Sequence, residues 1–88
     1  MDITAAEVVG PWRLLLTFEN GERREVDVAS LVQPTGVFEP LNDPEFFRLA
    51  RINPELGTVV WPNGADLCPD VLYRAGQAAA ATARQRAG

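Results

Sequence analysis

Residues 12–28, Trp12-Arg13-Leu14-Leu15-Leu16-Thr17-Phe18-Glu19-Asn20-Gly21-Glu22-Arg23-Arg24-Glu25-Val26-Asp27-Val28, decide the fold. Two runs of apolar and β-branched residues flank a turn signal, so the stretch reads as a hairpin. Asn20-Gly21 taken alone would form a two-residue type I′ loop. That register sets Leu16 opposite Glu25 and Leu14 opposite Asp27, which mixes core and solvent side chains on one face. A three-residue loop of Glu19, Asn20 and Gly21, with Gly21 in the left-handed region, instead pairs Phe18 with Glu22, Leu16 with Arg24, Leu14 with Val26 and Trp12 with Val28. One face then becomes largely apolar. The opposite face carries Thr17 against Arg23 and Arg13 against Asp27, an ion pair expected to add about 0.2–1 kcal/mol.

Working outward, Gly10-Pro11 separates this hairpin from an earlier strand over 3–9, which completes a meander. After it, 29–32 reads as one helical turn, Gln33-Pro34-Thr35-Gly36 as a loop, and Val37-Phe38-Glu39-Pro40-Leu41 as isolated apolar anchors. Asp43 followed by Pro44 starts a short helix running to about Leu49, because the carboxylate can accept from free first-turn N–H groups and proline needs no donor there. Phe46 and Phe47 are adjacent and cannot both face one core from one helix, so one of them is expected over a neighbouring loop. Core packing is favoured over a partner anchor for Phe38, Leu41, Phe46 and Phe47, since so small a domain needs every large side chain.

Segments 49–53 and 58–61 form a second hairpin around Pro54-Glu55-Leu56-Gly57. Pro69 with Asp70 opens a C-terminal helix through Leu72 and Tyr73, and the Ala-rich run 78–83 has the highest helix propensity in the chain. The expected fold is α+β: a three-stranded antiparallel meander plus a second short hairpin, one inserted helix and a C-terminal helix. Residues 1–76 make a single domain, and 77–88, without a large apolar residue, form a helical extension or frayed tail.

Composition narrows function mainly by exclusion. Twelve acids against eight arginines give a net charge of −4, and without Arg84 and Arg86 of the tail the body is near −6, from six arginines against the same twelve acids. This acidity disfavours direct nucleic-acid binding and attraction to anionic lipid. The chain has no His, no Lys, one Ser and one Cys, so most catalytic and metal constellations cannot be assembled from it. A non-enzymatic protein with no cofactor and no metal is expected. A lone Cys68 forms no internal disulfide, and neither a membrane span nor a signal peptide is legible, which points to the cytoplasm.

The densest candidate site is Trp61-Pro62-Asn63-Gly64-Ala65-Asp66 with Pro69 and Leu72-Tyr73 behind it. Trp61, Asn63, Asp66 and Tyr73 could form a partner surface, since aromatics with polar tips beside a carboxylate are enriched at recognition patches. The competing and favoured reading makes Trp61 a core residue, Pro62-Asn63-Gly64 a turn and Asp66 a ligand of loop N–H groups. Cys68 sits before a helix start but has no histidine to serve as base, so a buried, inert thiol is expected. Asp43, Glu45, Asp66 and Asp70 lie at helix starts, where capping explains them better than acid–base or metal chemistry. Arg23-Arg24, flanked by Glu22 and Glu25, reads as a solvated hairpin end.

The residues Phe18-Glu19-Asn20-Gly21, Asp27, Val37-Phe38, Leu41, Asp43, Phe46-Phe47, Asn53, Gly57-Thr58, Trp61-Pro62-Asn63-Gly64, Asp66, Pro69 and Leu72-Tyr73 together resemble a small bacterial family catalogued as domain of unknown function 2442. The resemblance covers roughly positions 3–75. It implies a compact α+β domain, in some members fused to a helix-turn-helix and in others encoded beside a second small protein, as in toxin–antitoxin or regulator pairs. It brings no catalytic residues, and after Tyr73 this chain has an Ala/Arg tail in place of a helix-turn-helix. The leading expectation is an interaction module that binds the neighbouring gene's product, or a second copy of itself, through the Trp61–Tyr73 segment or an open sheet edge. The alternatives are an accessory component of a transcriptional regulator that contacts DNA directly or through a helix-turn-helix partner, and a small-molecule sensor.

Overall fold

The organising hairpin closes through Gly21, whose φ is 89°. Its N–H donates to the Phe18 carbonyl at 2.8 Å, and the Phe18 N–H donates to the Glu22 carbonyl at 2.8 Å, which is the three-residue loop with a left-handed glycine. In the computed structural model, which describes residues 1–78, β2 (Arg13–Phe18) and β3 (Arg23–Asp27) pair antiparallel. Leu14 lies opposite Val26, Leu16 opposite Arg24 and Thr17 opposite Arg23. Leu14, Leu16, Phe18 and Val26 are all buried, so the apolar face predicted from register is the core face.

β1 (Ile3–Gly10) pairs antiparallel with the other side of β2. The Gly10-Pro11 turn between them holds Trp12 at φ 62°, a left-handed conformation that costs a non-glycine residue about 1–2 kcal/mol. Part of the offset comes from packing: Trp12 lies against the core, its ring centroid 5.9 Å from that of Phe47.

Arg13 does sit opposite Asp27, yet its ion pair forms with Glu25, the diagonal neighbour on the same face. Asp27 instead accepts from the Ala29 N–H at 3.1 Å and caps a 3₁₀ turn, Val28–Ser30. A backbone donor held two residues away is a better partner than a long exposed side chain, whose ion pair is worth at most about 1 kcal/mol.

Where the sequence suggested separate anchors, the chain forms a 3₁₀ helix, Gly36–Asn42, that buries Leu41. Helix α1 (Pro44–Phe47) follows, with the Asp43 carboxylate accepting from the Glu45 N–H at 3.0 Å as expected of a cap. It stops earlier than expected, at Arg48, and of its two phenylalanines Phe47 is buried while Phe46 is half-buried against the core.

A separate two-stranded sheet comprises β4 (Arg51–Asn53) and β5 (Thr58–Val60). Its turn is held by Asn53, whose Oδ1 accepts from Glu55 and Leu56 N–H groups, and by Gly57 at φ 67°. Helix α2 (Pro69–Ala75) begins at Pro69 and buries Leu72. It does not run on into the Ala-rich segment. Gly76 is extended, and Gln77–Ala78 forms β6, antiparallel to β3, giving the sheet order β1-β2-β3-β6. The free edge of β3 offers ladder partners that intrinsic helix propensity does not outweigh. The rest of the expected tail, 79–88, lies outside the described residues. Among the described residues no helix is long and apolar enough to cross a membrane.

Candidate functional site

The structure distributes the four candidate surface residues among different tasks. Trp61 is 2% exposed and donates its indole N–H to the Phe47 carbonyl at 3.0 Å, with the two ring centroids 5.6 Å apart. It therefore contributes packing and a buried hydrogen bond, and no outward aromatic tip. The turn behind it explains why: the Gly64 N–H donates to the Trp61 carbonyl, the Trp61 N–H donates to the Ala65 carbonyl, Gly64 stands at φ 91°, and this geometry folds the indole inward. Asn63 is exposed but occupied at both ends. Its Oδ1 accepts from the Ala65 N–H at 3.1 Å, and its Nδ2 donates to the Val37 carbonyl at 2.8 Å, tying the loop to the 3₁₀ helix. Asp66 is exposed and its backbone bridges to Val60.

Tyr73 belongs to a different cluster, over the end of the β2–β3 hairpin. Its ring meets Phe18 edge-on at 5.0 Å, the Arg24 guanidinium lies 3.9 Å above it, and its hydroxyl donates to Glu22 at 2.9 Å. Arg24 also donates to Glu22 at 2.7 Å and to the Tyr73 carbonyl at 2.9 Å. The Arg24 hydrogen bonds, and then that from Tyr73, hold the Glu22 carboxyl below its ordinary range, while Glu22 raises Arg24. Arg23-Arg24 is thus a divided pair: Arg24 is a clamp on α2, and Arg23 is exposed.

Of the acids at helix starts, Asp43 caps α1 and Asp70 accepts from the Met1 ammonium at 3.3 Å. No group of three or more acid or thiol side chains among the described residues is arranged to hold a metal ion. Cys68 is exposed, against the expectation of burial. It occupies the cap position of α2, where the chain enters the helix at the surface, and Leu67 and Leu72 on either side take the buried positions.

The feature that sequence reasoning named only in general terms is the edge of β1. Phe18, Leu16 and Leu14 direct their backbone groups toward β3, as the Phe18 to Glu22 bond and the Val28 to Trp12 bond at 2.7 Å require. Alternation then turns Thr17 and Leu15 toward β1, where they face Ala5 and Glu7. Ala6 and Val8 consequently point their N–H and C=O groups away from β2, at the sheet edge. Among the described residues the backbone bond on this outer side is that of Ile3 N–H to Gly57 at 2.8 Å, near the start of the strand. Toward its end, β1 borders a cleft of about 300 Å³ lined by Val8, Val9, Gly10, Pro11, Pro44, Phe47 and Arg48.

Fold and surface together define a small α+β domain in which a meander, a second hairpin packed against β1 and short helices share one core, and in which, among the described residues, the outer backbone groups of Ala6 and Val8 on β1 meet no backbone partner. The chain belongs to the DUF2442 family of proteins of unknown function, whose model matches residues 3–78. No curated protein and no solved structure matches the chain. Trp61, Asn63 and Gly64, among the residues that carry the family resemblance, serve the fold.

Proposed function

We propose that this domain is a non-enzymatic protein-interaction module that accepts an extended segment of its partner along β1. The observation that carries this reading is the pair of outward backbone units at Ala6 and Val8, without a backbone partner among the described residues, on an edge strand that holds the side chains of these two residues against the core. An edge of this kind is a template for strand addition, in which main-chain hydrogen bonds supply affinity. The partner is the product of the adjacent gene, in keeping with the paired arrangement implied by the family resemblance.

Ala6→Pro tests it, because the proline removes an N–H that serves no internal ladder bond and is tolerated at an edge. Co-purification of the wild-type chain with the neighbouring product, lost with Ala6→Pro while circular dichroism and urea midpoint are kept, is the expected result. Undiminished association of a folded Ala6→Pro variant would overturn use of the edge, and failure of the wild-type pair to associate would overturn the partner.

A further inference from the structure

We infer that the cleft at the end of β1 receives the C-terminal end of the partner's extended segment, an apolar last residue whose carboxylate pairs with Arg48; this rests on the edge-pairing reading above. The cleft is walled by Val8, Pro11, Pro44 and Phe47, which suit an apolar side chain, and its volume of about 300 Å³ fits one or two residues rather than a continuing strand. The ladder also runs out there. Beyond Val8 a register shift at Val9 breaks the alternation, and Pro11 two residues later has no N–H to offer, so a strand passing through would lose its ladder partners.

Charge supports a terminus at this point. Arg48 is exposed, lines the cleft and makes no ion pair among the described residues, in a chain of net charge −4. A carboxylate is the group that complements it. Between Ala6 and Val8, Glu7 stands on the solvent face of β1, so a basic residue before the terminal apolar pair matches the strand it lies beside.

The test uses the full chain, isotopically labelled, and three acetylated pentapeptides of sequence threonine-lysine-threonine-valine-valine. One has a free C-terminus and one a C-terminal amide. The third carries aspartate in place of the fourth residue and is amidated. Titration of the free acid is expected to shift amide resonances of Ala6 to Gly10 and Glu45 to Arg48, with the amide binding about threefold to fivefold more weakly. Arg48→Gln should remove that preference without changing the affinity for the amidated peptide. Equal binding of acid and amide would overturn the terminal-carboxylate assignment, as would equal binding of the aspartate peptide, which would place a side chain there instead. A free acid that gives no shifts, or shifts elsewhere, would overturn it too. In those cases the Ala6→Pro co-purification still decides separately whether the edge binds a partner.

Discussion

At the scale of single residues, the aromatic that dominates the sequence acts from inside. Trp61 satisfies the Phe47 carbonyl, and an indole is among the few side chains that can both fill that volume and donate a bond. Trp61→Phe leaves that carbonyl with the Ala50 N–H at 3.2 Å as its donor, so the lost indole bond should cost about 0.5–1.5 kcal/mol, beyond the lost volume, and be read as a lowered urea midpoint with unchanged slope. Thr58 makes the same point on a smaller scale. Its buried hydroxyl donates to the Leu67 carbonyl at 2.6 Å, and Thr58→Val, nearly equal in volume, should destabilise by about 1–3 kcal/mol through that carbonyl. The sequence marked Trp61, but whether its polar tip faces water or a carbonyl depends on Phe47, fourteen residues away, which no local pattern specifies.

At the scale of elements, Arg24 joins pieces that lie far apart in the chain. It reaches from β3 to the end of α2, stacks on Tyr73 and shares Glu22 with the Tyr73 hydroxyl. Glu22 titrates below its ordinary value of 4.5 in the fold, so the stability it contributes is fully present above that value and is lost as pH falls through the lower, folded value. Glu22→Gln should accordingly flatten the acid limb of a stability profile followed by urea unfolding downward from pH about 6. A limb as steep as that of the wild type would show that other carboxylates govern it. Strand parity gives a sharper check of the β1–β2 pairing. The backbone of Glu7 faces β2 and that of Ala6 faces outward, so Glu7→Pro should cost about 1–3 kcal/mol by removing a ladder bond and leaving its acceptor unpaired, whereas Ala6→Pro should leave the stability within about 1 kcal/mol of wild type.

At the scale of the whole molecule, the proposed function depends on what the fold leaves unfinished. One side of the main sheet is extended by β6 beside β3, and on the other β1 meets a backbone partner only near its start, at Gly57, among the described residues. An acidic body with an unpaired arginine beside an apolar cleft then favours a partner that brings an extended segment and a carboxylate.

The sequence alone determined the meander, the register of its β2–β3 hairpin, the helix starts at Asp43-Pro44 and Pro69 and the second hairpin. Each of these follows from side-chain alternation or from turn and cap chemistry acting within a few residues. Tertiary structure decided the rest. Local pattern left Gln77 and Ala78 in a helical extension or frayed tail, but β3 offered a free ladder; opposition pointed Arg13 to Asp27, but Asp27 had a nearer backbone donor; and Cys68 looked buried by residue type but stands at a helix mouth. Which edge stays open, and which aromatic turns inward, are settled by contacts between segments distant in sequence, and these become available only when the core closes.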